Sequence, residues 1–149
     1  MSAPITVEAA TRAPAHLRLG ALVAVGIARV LARQSPRRLR RALERASRGG
    51  RPATADEALR ARNAVVSVSM RCRGHWCLQR SIATALLCRS GGSWPQWCSG
   101  VRVQPFLAHA WVAVDGVPVG ERHVDLQDFH LTLAVPRRQA RPRAGDRDL

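Results

Sequence analysis

Lysine is missing from this chain: all 24 basic residues among its 149 are arginine. Arginine suits bidentate contacts to phosphate or carboxylate, but wholesale loss of lysine is more simply a mark of GC-rich coding. The exchange alone therefore names no partner. Acids are also scarce, ten in all, which leaves a net charge of +14 and an isoelectric point near 11.8. Such a balance would ordinarily point to nucleic acid. The distribution argues otherwise, because residues 1–51 hold 11 Arg against two acids and residues 137–149 five Arg against two, while residues 52–136 hold eight against six. A nucleic-acid enzyme is expected to carry its basic groove beside its working residues, and here the middle is nearly neutral.

No hydrophobic run is long enough to cross a bilayer, since Arg18, Arg29 and Arg33 interrupt the apolar stretch around Leu17–Ala32 well short of the roughly 20 residues needed. Met1–Pro14 lacks a basic leader and a small-residue cleavage site after an apolar core, so a cytoplasmic protein is expected. In that reducing setting four cysteines imply free thiols, catalysis or metal, and not a disulfide framework. No internal repeat is visible. What is present is a hydrophobic fraction of 46%, ordinary for one soluble domain and too high for wholesale disorder.

Apolar spacing predicts a first helix over about Ala15–Arg33, and Ser35-Pro36 opens a second, very basic one that Gly49 and Gly50 end. Thr54 with Glu57 three residues on reads as a capping box for a third helix reaching about Met70 or Arg71. Leu78–Cys88 is apolar nearly all round, as a buried helix is, and Gly91-Gly92 stops it. Strands are expected at Gln96–Val103, Leu107–Val114, Val117–Glu121 and Phe129–Val135, with a hairpin at Asp115-Gly116. The fold class is α+β: a basic helical region over residues 1–55, a core over 56–135 with a buried helix on a small antiparallel sheet, and a basic tail over 136–149 with almost nothing to bury. The basic helical face is first a solvated surface; its other reading is a docking face for acidic partners or anionic lipid, a peripheral membrane contact.

Cys77 stands at the first turn of the buried helix, where unsatisfied N–H groups and the positive dipole end favour a thiolate. Its missing base is His109, held in a strand about 30 residues later. Alternation sets His109, Trp111 and Ala113 on one face, and sulfur and imidazole approach if the helix packs on that side. The hairpin register decides which acid can orient the ring. A two-residue turn pairs Val114 with Val117 and turns Glu121 away; a three-residue loop pairs Ala113 with Val117 and sets Glu121 opposite His109, with Cβ atoms roughly 4.5 to 5.5 Å apart. The second register is the one expected, with Asp125 in reserve.

The segments Trp76-Cys77-Leu78-Gln79-Arg80-Ser81, Gln96–Arg102, Pro105–Val112 and Asp115–Glu121 together resemble the transglutaminase-like leader peptidases of lasso-peptide biosynthesis, in their stand-alone protease form. The resemblance covers about residues 56–135. It implies a papain-like or transglutaminase-like core and a Cys-His-Asp triad, here Cys77, His109 and Glu121, with Glu121 in place of the usual aspartate. It implies removal of the leader from a ribosomally made precursor, through a thioester and without cofactor. It also implies work beside a separate leader-recognition protein and a lasso cyclase resembling asparagine synthetase, since nothing here looks like the winged-helix recognition module. Nucleic acid is not an expected partner. The rival enzymatic reading is amine-accepting acyl transfer; the non-enzymatic one is a basic RNA- or membrane-binding protein.

Other candidate positions carry less. Cys72, Cys77, Cys88 and Cys98 are separated by four, ten and nine residues and lack the paired short knuckles of structural zinc sites, so no metal is expected. His75 reads as an exposed loop residue, while Trp76, Trp94 and Trp97 read as core or groove wall. The Cys77 N–H is the expected oxyanion donor, with Gln79 or Trp76 as a possible second.

Overall fold

The computed structural model describes residues 13–121 and 126–136. Four helices come first: α1 (Ala15–Leu31), α2 (Pro36–Ser47), α3 (Ala55–Val68) and α4 (Cys77–Ser90). Their ends follow local chemistry. Pro36 occupies the first turn of α2, where its missing N–H is no loss. The Thr54 hydroxyl accepts the Glu57 N–H while the Glu57 carboxylate accepts the Thr54 N–H, so the capping box is complete. Arg51 pairs with the same carboxylate, and these bonds hold Glu57 down to about 2. Helix α3 ends short of the expected Met70: Ser69 is extended, and a separate 3₁₀ turn at Arg71–Arg73 carries the chain into α4.

The sheet follows α4. Strands β3 (Gln96–Val103), β4 (Phe106–Val114), β5 (Val117–Pro118) and β6 (His130–Val135) are antiparallel in the order β5-β4-β3-β6. Strands β1 (Arg51–Pro52) and β2 (Ser93–Trp94) form a two-residue parallel pair that the sequence does not announce. Gly100 sits at a bulge where β3 meets β6, and an added Cβ would come within 2.7 Å of the His130 carbonyl oxygen. The tail beyond Pro136 and the reserve acid Asp125 lie outside the described residues.

One large core joins the helices to one sheet face. Ala21, Ala24 and Ala28 of α1 pack with Ala61 and Val65 of α3, Ile82, Ala83 and Ala85 of α4, and Ala110 and Val112 of β4. The small residues let α1 and α4 run close: a Cβ on Gly20 would meet a Leu87 methyl at 3.0 Å. Buried indole N–H groups find partners, Trp97 on the Ser81 hydroxyl and Trp94 on the Val135 carbonyl. The opposite sheet face is a smaller cluster of Cys98, Trp111 and Ala113, covered by Leu126 and Phe129.

Two expectations are corrected here. The hairpin takes the two-residue turn, with Val114 opposite Val117 and Ala113 opposite Pro118, and not the three-residue loop. Asp115 (φ 51°) and Gly116 (φ 78°) both adopt positive φ, the geometry of a tight turn whose twist matches that of the flanking strands. Strand β5 then stops at Pro118, far short of Glu121. The second correction concerns α4, which packs on the Ala110–Val112 face and not on the His109–Trp111 face.

Candidate active site

Because α4 covers the far face from His109, sulfur and imidazole cannot meet through the sheet; they meet at its edge. Strand β5 pairs with β4 only at Ala113 and Val114, and beyond it the Val119 N–H still reaches the Val112 carbonyl. Among the described residues, β4 has no strand neighbour on that side from Phe106 to Ala110. Backbone groups of Ala110 point the same way as those of Val112, two residues on. The N-terminus of α4 arrives in this gap and brings the Cys77 thiol beside the His109 ring and the Ala110 N–H, both of which favour the thiolate.

Glu121 enters the gap by a break in alternation. Gly120 has φ 69°, which takes the chain out of the extended conformation and cancels the parity that would have turned residue 121 away. The Glu121 Oε2 lies 3.0 Å from His109 Nε2. Nδ1 is then the ring nitrogen left for the sulfur. Arg80, one helical turn after Cys77, donates to Glu121 Oε1 at 3.3 Å, and the buried Arg62 of α3 pairs with the same oxygen at 4.0 Å. The Arg80 guanidinium also donates to the Cys72 and Gly74 carbonyls, which ties the loop before Cys77 to the carboxylate.

The electrostatics separate one thiol from the other three. Burial would raise the Cys77 thiol, but the hydrogen bond with His109, the ring's charge, the Ala110 N–H and Arg80 outweigh it and hold it below the ordinary thiol value. Burial likewise opposes a charged His109, yet the bonds to Cys77 and Glu121 raise the ring to about 9. Burial works against the Glu121 carboxylate too; His109 and the two arginines bring it below the usual range. Cys72, Cys88 and Cys98 are buried and pushed up, Cys88 to about 12 and Cys98 to about 11. The arrangement favours a thiolate–imidazolium pair anchored by a carboxylate.

The remaining site expectations resolve as follows. Cys77 is the first residue of α4, where the helix's own ladder does not use its N–H, and the N-cap Trp76 makes no side-chain cap bond among the described residues. Gln79 is buried and lines a pocket with Arg29, Arg33, Arg71 and Trp76 that Cys77 does not line. His75 is exposed, Trp76 is half exposed, and Trp94 and Trp97 are core. His109 stacks on Trp111 at 6.0 Å and lies 5.9 Å from Phe129, which closes the ring's outer side. Arg80 and Arg62 escaped the sequence reading. Arg80 carried a signal, because its i+3 spacing from Cys77 puts the two on one helix face; Arg62 carried none. Among the described residues no three His, Cys, Asp or Glu side chains group to hold a metal ion.

A family model described as Transglutaminase-like superfamily matches residues 21–134, from α1 to the penultimate residue of β6. No curated protein and no solved structure gives a significant match.

Proposed function

The chain belongs to the transglutaminase-like superfamily, which includes cysteine proteases and acyltransferases, and from that premise we propose that it is a cysteine peptidase removing the leader from a ribosomally synthesised lasso-peptide precursor. The observation that carries a thiol mechanism is His109, its Nε2 held by Glu121 at 3.0 Å, beside a Cys77 thiol whose pKa it lowers. The choice of substrate rests on the resemblance of the four segments around these residues.

In this reading the Cys77 thiolate attacks the carbonyl carbon of the last leader residue, and the Cys77 N–H receives the oxyanion. The His109 imidazolium gives its proton to the departing amine of the core peptide, leaving a thioester and a neutral ring. A water then loses a proton to His109 and attacks the thioester, which frees the leader carboxylate and restores the thiolate. Glu121 is a positioning residue: it fixes the ring and stabilises its charge, while Arg80 and Arg62 keep the carboxylate ionised. A separate recognition protein delivers the leader, and a cyclase resembling asparagine synthetase takes the freed core.

The test is incubation of the full chain with a precursor peptide and its recognition protein, read by mass spectrometry. Two fragments whose masses sum to precursor plus one water are expected, and none from a folded Cys77→Ala protein. Loss of ammonia with amine incorporation would instead establish acyl transfer. Undiminished cleavage by Cys77→Ala would remove the proposal.

A further inference from the structure

Helix α1 buries one side and leaves the other bare. Ala21, Ala24, Val25 and Ala28 are buried, while Leu19, Leu22, Val23, Ile27 and Val30 are 67%, 54%, 58%, 47% and 61% exposed. At 3.6 residues per turn these five form a single stripe along the helix. Arg18 and Arg29 stand four and seven residues from Leu22 and border the stripe on the Leu22 side, and Arg33, just past the end of the helix, lines a pocket with Arg29. None is ion-paired to a described residue, and α1 contains no acid.

At the C-terminal end of the stripe the border opens into a pocket of about 250 Å³ lined by Arg29, Arg33, Arg71, Trp76 and Gln79. The Arg71 guanidinium lies over the Trp76 ring at 5.4 Å. Gln79 is only 6% exposed, and its Oε1 has no hydrogen-bond partner among the described residues. Three guanidinium groups suit a phosphodiester, and the orphaned carbonyl oxygen suits a hydroxyl beside it. A half-exposed tryptophan next to arginine at the rim of an apolar surface matches the polar boundary of a bilayer.

We infer that α1 lies in the surface of an anionic membrane, its stripe among the acyl chains and the arginine pocket on a phosphodiester headgroup that carries a hydroxyl. No helix of the described residues is long and apolar enough to cross a membrane, so the contact is in plane. A second copy is disfavoured as the occupant. Antiparallel isologous pairing of the stripes would bring the arginine borders of both copies to one rim, and neither α1 carries an acid to offset them in either orientation. A protein partner would find no hydrogen-bonding side chain between Leu19 and Ala28, whereas a lipid surface needs only apolar depth and negative charge.

The inference is independent of the peptidase reading, and its test is co-sedimentation of the full chain with phosphatidylglycerol–phosphatidylcholine vesicles and with phosphatidylcholine alone. Binding to the anionic vesicles only is expected, weakening with salt. It should fall at least about tenfold in Val23→Glu/Ile27→Glu and in Arg18→Gln/Arg29→Gln/Arg33→Gln, with the melting temperature of both variants unchanged. A wild-type chain that stays in the supernatant overturns the inference. So does equal binding by the variants, or a dimer in sedimentation velocity that Val23→Glu/Ile27→Glu dissolves.

Discussion

His109 carries the pH dependence of the site. Its ordinary value is 6.5, and its partners hold it at about 9. A raised value means that the charged ring favours the folded state fully below the ordinary value, and that this contribution disappears as pH rises through about 9. In the proposed hydrolysis the leaving amine takes that proton, so kcat/KM should fall on the alkaline side with a limb near 9. Glu121→Gln removes one of the charges that hold the proton. The limb should move to lower pH and kcat/KM should drop by about tenfold to a hundredfold, within the usual reach of acid–base assistance. A pH–rate profile in which Glu121→Gln leaves the limb in place would deny the carboxylate this role. The thiols give a second reading at the same scale: iodoacetamide at neutral pH should alkylate Cys77 ahead of Cys72, Cys88 and Cys98, which peptide mapping would check.

Between elements, the short link from β5 to Glu121 matters most. Gly120 combines φ 69° with a close approach, since an added Cβ would lie 2.5 Å from Arg62 Cδ. Gly120→Ala should cost about 1 to 3 kcal/mol and displace Glu121, lowering activity with stability. Gly116→Ala is its control. That residue also has positive φ (78°), but among the described residues nothing lies within 4 Å of the added Cβ, so it should lose stability and keep activity. Thermal melts and cleavage rates on both variants separate the two effects. The same link marks the limit of what sequence could reveal. Helix starts were legible because Pro36, Thr54 and Glu57 act on their own backbone. The extent of β5, the face that α4 chooses and the place of Arg62 depend on contacts far along the chain. Glu121 was expected beside His109 through a three-residue loop; it arrives there through a two-residue turn and a glycine, so the juxtaposition was legible and its cause was not. The β1–β2 pair, two residues on each side, has no periodicity to read.

For the molecule as a whole, the family match from residue 21 to 134 and the shared core describe the same thing: α1 belongs to the scaffold that presents α4. Ala28 is fully buried in that shared core. Ala28→Leu should force the helices apart and cost about 1 to 3 kcal/mol, read as a lower denaturant midpoint. Val30→Leu, on the bare side of the same helix, should change little. Among the described residues, β4 has no strand neighbour on the β5 side from Phe106 to Ala108. The α4 N-terminus fills the gap only at Ala110, which is buried, whereas Phe106 at the tip is 75% exposed. A bare margin is also an invitation to stack, because any extended chain can zip along it. In a crowded sample that flank is where a neighbouring chain would pair, and an occupying peptide would shield it.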